Sequence, residues 1–386
     1  MHVVLAGGGT AGHIEPALAV ADALRRRDPD IGITMLGTAR GLENRLVPAR
    51  GYDLALIPPV PLPRSLTPHL LTVPTRMRTA VHETTEILTN VGADVVVGFG
   101  GYVALPAYLA ARGAKLPYVV HEANAKPGLA NRWGARFTPF VAANSADPRL
   151  PHATVIGIPL RRAVSTLDRG SQRAAARAEL GLFADAPTLL ASGGSQGARS
   201  LNRAVLGAVS DLLAAGIQVL HIAGPTQVAD VDADRPEAIA GQPPYLLVPY
   251  VDRMELAYAA ADLMLCRAGA MTCAELTAIG LPGVYVPLPH GNGEQRFNAQ
   301  PIVDSGGGIM VTDAELRPAW IRDHLIELLL NQRRLRIMSS RAADLGRRDA
   351  DEKLVDMIVE AASTHPGQPG RSARSARSGR RRAADE

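Results

Sequence analysis

Short runs of apolar residues alternate with longer Ala- and Leu-rich stretches along most of the chain. In the first half these runs lie at residues 2–6, 33–36, 94–97, 118–120 and 140–142. In the second half they lie at residues 188–191, 218–222, 245–249, 263–266 and 283–286. Unbroken Val, Ile and Leu runs between helical stretches are typical of parallel strands that are buried on both faces. The pattern therefore predicts an α/β fold with doubly wound parallel sheets.

A glycine-rich turn follows the first predicted strand of each half, at residues 7–13 and 192–199. In a chain of 386 residues this repetition predicts two Rossmann-like domains that face each other across a cleft. We place the domains at residues 1–157 and 158–340, because Ile158-Pro159 is typical of an extended connector.

The excess positive charge lies near the end of the chain. Residues 341–362 are predicted to form a helix that returns toward the first domain, and the Arg- and Ser-rich residues 363–386 are expected to be disordered. The chain has 41 Lys+Arg against 37 Asp+Glu, a net charge of +4, and residues 363–386 account for this excess. The rest of the chain is neutral and aromatic residues are only 4%, so we do not expect a nucleic-acid partner.

Cysteine content and hydropathy indicate the compartment. Cys266 and Cys273 allow at most one disulfide bond, as is typical of a reducing cytosol. The first apolar run lacks a preceding basic segment and is interrupted by glycines, so it predicts a buried strand and not a signal peptide. No run approaches the ~18 apolar residues of a transmembrane helix. We therefore expect a protein that is soluble or bound only at a membrane surface.

The two glycine-rich turns differ in what they predict. Residues 7–12 satisfy the G-x-G-x-x-G pattern of dinucleotide-binding folds, but no carboxylate follows the second strand until Glu43. This weakens the prediction of a nicotinamide cofactor. The turn at 192–199 offers the Ser195 hydroxyl and backbone N–H groups to a phosphate, although a tight turn with a capping serine has the same pattern.

Polar residues at strand ends and helix starts are the candidates for chemistry. His13 is predicted to begin the first helix, whose N-terminus favours the neutral ring, so it is either a general base or a histidine bonded to a loop carbonyl. His121 and Glu122 lie where open α/β sheets bind ligands, or else they satisfy loop backbone groups. Glu275 suits a sugar or ribose diol, or else it complements a helix dipole.

Seven motifs occur in order along the chain. They are GGGTAGHIEPALA (7–19), GFGGYVALP (98–106), HEANAKPGLANRW (121–133), GIPLR (157–161), SGGSQGAR (192–199), CRAGAMTCAE (266–275) and HGNGEQRFNA (290–299). Together they resemble, over residues 1–360, the bacterial cell-wall glycosyltransferases of family 28 that add GlcNAc to lipid I. The resemblance implies a GT-B fold, with a membrane-facing acceptor domain first and a UDP-GlcNAc-binding domain second. It also implies inverting transfer of GlcNAc to the 4-hydroxyl of MurNAc, which makes lipid II for peptidoglycan synthesis.

The resemblance further implies roles for individual residues. His13 would be the catalytic base or orienter, with Glu122 as the alternative. UDP-GlcNAc would be bound by Thr10, Ala11, Gly12, Asn124, Arg161, Ser195, Val251, Ala270, Met271, Thr272, Cys273, Ala274, Glu275, Gln295 and Asn298. No metal or other cofactor is expected, because Arg161 and turn N–H groups can neutralise a diphosphate. The Asp-x-Asp strings at 232–234 and 349–351 are expected to be solvated surface.

Lipid I is a membrane lipid, so the resemblance implies a peripheral protein on the cytoplasmic face of the cell membrane. Residues 55–78 mix apolar residues and prolines with Arg64, Arg76 and Arg78, which suits an anionic membrane surface. The alternative is a proline-rich loop packed on the sheet.

Two positions depart from the family pattern: Ala11 replaces a usual glycine and Ala123 a usual glutamine. Both lie in loops expected near the sugars. The competing interpretations are another GT-B sugar-nucleotide enzyme, such as a natural-product glycosyltransferase or a UDP-GlcNAc 2-epimerase, a nicotinamide oxidoreductase, and a non-catalytic sugar-nucleotide-binding protein.

Overall fold

Two parallel sheets form the frame of the chain. The structure is a computed structural model that describes residues 1–39, 41–60, 73–147, 149–237, 239, 241–290 and 293–364. The strands of the first sheet are β1 His2–Ala6, β2 Gly32–Gly37, β3 Asp53–Leu56, β4 Val95–Gly98, β5 Tyr118–Glu122, β6 Val141–Ala143 and β7 Ala153–Val155. Those of the second sheet are β8 Thr188–Ser192, β9 Gln218–Ile222, β10 Tyr245–Val248, β11 Leu263–Cys266, β12 Gly283–Tyr285 and β13 Gly308–Met310.

Helices connect successive strands and cover the sheets. Those associated with the first sheet are α1 Ala11–Arg27, α2 Glu43–Ala49, α3 Val73–Val91, α4 Ala104–Gly113 and α5 Leu129–Gly134. Those from the connector onward are α6 Arg162–Ser165, α7 Arg169–Leu180, α8 Arg199–Leu206, α9 Val209–Ala214, α10 Val228–Ala233, α11 Met254–Ala260, α12 Ala270–Ile279, α13 Glu294–Asp304, α14 Pro318–Trp320, α15 Ile326–Leu330, α16 Gln332–Ala343 and α17 Ala350–Ser363. A 3₁₀ turn at Ala135–Phe137 and a π-helical turn at Ile321–Leu325 complete the set of described helices.

The strand order is the same in both sheets. The first sheet runs β3-β2-β1-β4-β5-β6-β7 and the second runs β10-β9-β8-β11-β12-β13, with all pairs parallel. The order reverses between β1 and β4, and again between β8 and β11. Ligands of open α/β sheets bind beyond the carboxyl ends of the strands at such switch points. The predicted doubly wound α/β fold is confirmed.

Three strands were not predicted from the apolar pattern: β3, β7 and β13. Each is an edge strand of only three or four residues, and each is partly exposed. An edge strand is covered on fewer sides, so its sequence does not need the continuous Val, Ile and Leu run that marks a central strand.

The helix α17 packs against the first sheet although it follows the second sheet in the chain. Its Leu354, Val355 and Ile358 are buried in the same core cluster as α1 and β1. Arg26 on α1 contacts Asp351 at 2.8 Å, and Asp351 is only 4% exposed. The prediction that residues 349–351 form solvated surface is therefore wrong for Asp351, because the carboxylate pairs with an arginine of another helix.

The helix that returns to the first sheet is α17 itself, and residues 341–343 belong to α16. The boundaries that we predicted between the two domains stay a prediction. Of the Arg-rich tail, only residues 363 and 364 lie within the described residues. The two cysteines, Cys266 and Cys273, are buried and not bonded to each other.

Residues 55–78 are described only at their ends. Ile57 and Val60 are buried and so do not present apolar groups to a membrane surface, whereas Leu56 is exposed. Arg76 and Arg78 are exposed on α3, whereas Arg64 lies outside the described residues. None of the helices in the described ranges is long and apolar enough to cross a membrane.

Candidate active site

Two segments meet at the carboxyl edge of the first sheet. The start of α1 carries His13, and the loop after β4 carries Gly100 and Gly101, both with positive φ (90° and 78°). A Cβ atom at Gly100 would lie 3.3 Å from His13 Nε2, and one at Gly101 would lie 3.3 Å from His13 Nδ1. These glycines therefore permit both the backbone turn and the close approach of the imidazole.

His13 is the third residue of α1, which begins at Ala11 and not at His13 as predicted. Its Nδ1 is 3.1 Å from Thr10 Oγ1. Burial lowers the pKa of His13, which favours the neutral ring at pH 7. The direction is the one we predicted, but desolvation is the largest cause, and a hydrogen bond to the Gly8 backbone opposes it, so the loop-carbonyl contact that the sequence left open is present. The tautomer in which Nδ1–H donates to Thr10 leaves Nε2 free to accept a proton.

Glu122, at the end of β5, is buried and surrounded by donors from its own loop. One carboxylate oxygen accepts hydrogen bonds from the Asn124 backbone N–H (2.9 Å) and its side-chain amide (3.3 Å). The other accepts from the Gly128 N–H (2.9 Å) and Asn131 Nδ2 (3.0 Å). Burial raises the pKa of Glu122, and these bonds counteract the shift. This geometry favours the interpretation in which Glu122 shapes its loop.

His121 is likewise enclosed by the protein. Its Nε2 donates to the Gly157 carbonyl at 3.0 Å, while Nδ1 is buried without a partner among the described residues. Burial lowers the pKa of His121 to about 4. His121 therefore ties β5 to the connector between the two sheets as a neutral ring.

A cavity lies between the two sheets, at the switch point of the second. Its lining comes from both halves of the chain: Gly12, Glu15, Arg161, Ser192, Gly194, Ser195, Ile222, Tyr250, Val251, Met254, Tyr258, Met264, Arg267, Met271, Thr272 and Glu275. The cavity therefore brings together several residues that we predicted for UDP-GlcNAc: Gly12, Arg161, Ser195, Val251, Met271, Thr272 and Glu275.

Glu275 lies on α12 at the wall of this cavity. Its Oε2 accepts a hydrogen bond of 2.6 Å from the buried Tyr258 hydroxyl. Burial raises the pKa of Glu275, while Arg161 and the Tyr258 hydrogen bond act in the opposite direction. The carboxylate is thus partly satisfied and still borders the cavity, which leaves it able to accept hydrogen bonds from a diol.

Arg161 lies on the connector, between carboxylates of the two halves. Its Nε is 3.8 Å from Glu15 Oε2, and its Nη1 is 3.4 Å from the Asp252 carbonyl oxygen. Burial alone would lower the pKa of Arg161, but Glu275 and Glu15 outweigh it and raise the pKa. The guanidinium is therefore charged at every physiological pH and supplies positive charge to the cavity.

The second glycine-rich turn forms another part of the cavity wall. Gly194 and Gly197 have positive φ (88° and 75°), and any Cβ at Gly197 would collide with the Ala223 carbonyl oxygen. The Ser192 hydroxyl accepts from the Gly194 N–H at 3.3 Å, and Ser195 is half-buried at the cavity. A turn of this shape before a helix can direct backbone N–H groups at an anion.

Other predicted residues lie outside the cavity lining: Thr10, Asn124, Ala270, Cys273, Ala274, Gln295 and Asn298. The predicted Ala11 begins α1, and its side chain lies outside the described part of the chain. Cys273 is buried in the core of the second half. Asn298 bridges the halves, since its Oδ1 accepts from the Ala125 N–H (2.9 Å) and its Nδ2 donates to the Ala268 carbonyl (3.3 Å). Gln295 accepts from the Leu288 N–H at 3.0 Å.

The lining residues that were not predicted include Glu15, Tyr258 and Arg267. Glu15 lies one turn after Gly12 on α1, so helical spacing could have indicated it. Arg267 follows β11 at the switch point and donates to the Ser200 hydroxyl at 2.9 Å. Nothing local marks Tyr258, whose place depends on how α11 packs.

Within the described ranges, no group of three or more His, Cys, Asp or Glu residues is arranged to hold a metal ion. That the donor diphosphate needs no metal stays a prediction.

Comparisons with known proteins agree over both halves of the chain. The family model "Glycosyltransferase family 28 N-terminal domain" matches residues 3–142, and "Glycosyltransferase family 28 C-terminal domain" matches residues 188–354. A relative from Acidothermus cellulolyticus is 67% identical over 363 residues, which is 94% of this chain and 98% of the relative. One from Streptomyces coelicolor is 60% identical over 361 residues, again 94% and 98%. Both are named UDP-N-acetylglucosamine--N-acetylmuramyl-(pentapeptide) pyrophosphoryl-undecaprenol N-acetylglucosamine transferase.

Solved structures give the same result. MurG of Acinetobacter baumannii is similar with a TM-score of 0.73 and 30% identity, covering 93% of this chain and 99% of that one. The calicheamicin glycosyltransferase CalG4, at 18% identity, a TM-score of 0.63 and coverage of 94% and 98%, shares the fold. The predicted GT-B fold and the predicted family are both confirmed. The chain belongs to glycosyltransferase family 28, among its UDP-N-acetylglucosamine--N-acetylmuramyl-(pentapeptide) pyrophosphoryl-undecaprenol N-acetylglucosamine transferases.

Proposed function

We propose that the chain transfers GlcNAc from UDP-GlcNAc to the 4-hydroxyl of MurNAc in lipid I, with inversion at the anomeric carbon, and so produces lipid II. The names of its close relatives state this donor and this acceptor. The observation that carries the proposal is the cavity between the sheets, where the charged Arg161, the second glycine-rich turn and the Glu275 carboxylate border one space.

The donor would lie across this cavity. Glu275 would accept hydrogen bonds from the two ribose hydroxyls, while Val251 and Thr272 would border the uridine. Ser195, the turn N–H groups and Arg161 would hold the diphosphate. This placement directs the GlcNAc toward the edge of the first sheet. Thr10 and Asn124 in the first half, with Gln295 and Asn298 on α13, are the candidates to contact it.

The reaction would be a direct displacement. The acceptor hydroxyl gives its proton to His13 Nε2 as its oxygen attacks the anomeric carbon, and the bond to the UDP oxygen breaks on the opposite face. Negative charge then grows on the diphosphate, where Arg161 and the turn N–H groups stabilise it. With these groups in place, no metal is required for the departure of UDP.

The proposed acceptor is a lipid, so the chain would work as a peripheral protein at the cytoplasmic face of the cell membrane, with no nucleic acid as partner. Arg76 and Arg78, exposed on α3, would meet anionic headgroups. Cosedimentation with anionic liposomes should fall when both are changed to Glu. Unchanged sedimentation would contradict this contact.

One assay tests the proposal against its alternatives. The protein is incubated with labelled UDP-GlcNAc and a lipid I analogue in excess EDTA, and lipid and nucleotide products are separated. We expect a disaccharide-lipid together with UDP. Binding without turnover would favour a non-catalytic protein, free UDP-ManNAc would favour an epimerase, and absence of the disaccharide-lipid at saturating substrate would refute the proposal.

A further inference from the structure

Glu43 lies outside the cavity, fully buried beneath the first glycine-rich turn. It is the first residue of α2, and its carboxylate reaches across to β1 and β2. Oε2 accepts a hydrogen bond from the Gly9 N–H at 3.0 Å. Oε1 accepts from the Thr38 N–H at 2.7 Å and from the Thr38 hydroxyl at 3.0 Å. The carboxylate therefore joins the turn after β1 to the loop after β2.

Three glycines leave room for this side chain. A Cβ atom at Gly8 would lie 2.9 Å from Glu43 Oε1, and Cβ atoms at Gly37 or Gly41 would collide with the Glu43 side chain. Gly8 belongs to the first turn, Gly37 ends β2, and Gly41 precedes α2. Because these three positions are glycines, no side chain at any of them displaces the Glu43 carboxylate.

This arrangement differs from that of a dinucleotide-binding domain. There, a carboxylate after the second strand accepts the ribose hydroxyls and the turn N–H groups face the pyrophosphate. Here the first carboxylate after β2, Glu43, is directed inward, and the Gly9 N–H is already bound to it. In the second turn of this chain the corresponding N–H, that of Gly194, bonds instead to the Ser192 hydroxyl.

The turn held by Glu43 leads directly into α1, which carries the proposed base His13. Gly9 has a φ of 89°, and a Cβ there would lie 3.7 Å from the Tyr102 ring. The next residues are Thr10, which contacts the imidazole, and His13 itself. A shift of Gly9 would therefore move the proposed base relative to a donor bound mainly by the second half.

We propose that Glu43 is a positioning residue for glycosyl transfer: its carboxylate fixes Gly9 and thereby sets the location of His13 opposite the donor. Glu43 touches no substrate and acts through the turn. This inference rests on the proposed function, since it concerns the position of His13 during the proposed transfer of GlcNAc.

The test compares Glu43→Gln with Thr38→Val. In Glu43→Gln the amide carbonyl keeps the two Thr38 donors, and the NH₂ group then faces the Gly9 N–H, which loses its acceptor. Thr38→Val removes one hydrogen bond to the same carboxylate and leaves Gly9 bound. A displacement of about 1 Å can lower turnover by ~10²-fold. We expect Glu43→Gln to lower kcat by ~10–100-fold and Thr38→Val by less than ~3-fold.

Donor binding separates positioning from general damage. UDP affinity, measured by calorimetry on the full chain, should change by less than ~2-fold in both variants, because the proposed uridine site lies in the second half. Equal losses of kcat in both variants, an unchanged kcat in Glu43→Gln, or a matching loss of UDP affinity would each overturn the inference. Gly8→Ala provides a second approach, since its methyl group displaces the carboxylate without changing any charge, and it should lower kcat as Glu43→Gln does.

Failure of the proposed function would be recognised separately, because the wild-type chain would then give no disaccharide-lipid. In that case amide exchange at Gly9, followed by NMR on the glycine-labelled full chain, still tests the contact. We expect faster exchange at Gly9 in Glu43→Gln and wild-type exchange in Thr38→Val. Equal protection in wild type and Glu43→Gln would overturn the inference.

Discussion

Replacement of Arg161 tests the proposed diphosphate site most directly. Arg161→Met removes the guanidinium but keeps an unbranched side chain, and Arg161→Lys keeps the charge without the planar fork. In both variants Glu15 keeps its contact with Arg50 (3.4 Å) and Glu275 its hydrogen bond from Tyr258 (2.6 Å). Neither carboxylate is left without a partner, so we expect both variants to fold.

The size of the effect follows from the hydrogen bonds that Arg161 would donate to the diphosphate. A charge-assisted hydrogen bond contributes ~1.5–3 kcal/mol, and a bidentate arginine makes two of them. The interactions that Arg161 would give up are weak, since it lies 3.8 Å from Glu15 and 3.4 Å from the Asp252 carbonyl. At ~1.4 kcal/mol per factor of ten, we expect Arg161→Met to lower kcat/KM by ~10²–10⁴-fold and Arg161→Lys by ~10-fold.

The pH dependence of kcat/KM tests a second effect of Arg161, which is its influence on the pKa of Glu275. The ionised Glu275 carboxylate accepts hydrogen bonds from the ribose more strongly than the protonated acid, so kcat/KM should fall as the pH drops through its pKa. Burial raises this pKa, and Arg161 is the charge that opposes the rise. Arg161→Met should therefore move the acid limb of kcat/KM to higher pH, whereas Arg161→Lys should leave it near that of the wild type.

The assay is continuous release of UDP at saturating lipid I analogue, with donor concentration varied between pH 5 and 8. Two results would refute the reasoning. One is a loss of kcat/KM below ~3-fold in Arg161→Met, which would remove Arg161 from the diphosphate. The other is an acid limb that is identical in the Met and Lys variants, which would show that Arg161 does not act on Glu275.

Three other predictions concern single residues. His13→Ala should lower kcat by ~10²–10⁴-fold with unchanged UDP affinity in calorimetry, and near-normal turnover would move the base elsewhere. Asn298→Ala leaves the Ala125 N–H without its acceptor, so the free energy of unfolding in urea should fall by ~1–3 kcal/mol, whereas Asn298→Asp should retain that contact. His121 and His221 each have a pKa lowered to about 4, so the unfolded chain binds more protons below pH 6.5 and stability should fall from pH 6.5 toward pH 4. Equal urea midpoints at pH 7 and pH 5 would contradict this.

Replacement of His221 provides a control for the predicted loss of stability below pH 6.5. His221 Nε2 donates to Asn202 Oδ1 at 3.0 Å, and its Nδ1 accepts from the Tyr245 hydroxyl at 2.8 Å. The shift from 6.5 to about 4 corresponds to about 3 kcal/mol for each fully buried ring. In His221→Gln the free energy of unfolding should decline less steeply below pH 6.5, because one of the two titrating rings has been removed. This holds even if the variant is less stable at pH 7.

The sequence predicts the central strands well and the edges poorly. The runs that became β1 and β8 are buried on both faces, so their composition is dictated by their position in the fold. The short edge strands β3, β7 and β13 bear no such constraint, and pairing with a neighbour, not local composition, makes them strands. A central strand can therefore be predicted from its own sequence, whereas an edge strand depends on the neighbouring strand with which it pairs.

The site divides in the same way. Glycine-rich turns are local, so Gly12 and Ser195 could be placed from the sequence. Residues 270–275 were predicted as one block, yet a helix presents one face to a cavity, and Met271, Thr272 and Glu275 share it while Cys273 packs in the core. Tyr258 reaches the cavity through the packing of α11, which no local pattern encodes, whereas Glu15 could have been found from its helical spacing to Gly12.

The position of α17 has a consequence for how the chain is made. Leu354, Val355 and Ile358 complete a core most of whose other members lie in the first sheet and α1. Between Val155, which ends β7, and Ala350, which begins α17, the ribosome must synthesise the entire second sheet. At ~5–20 residues per second this interval lasts ~10–40 s. During that time the first half presents an uncovered apolar face, so chaperone contact with the nascent chain should concentrate there and end when α17 emerges.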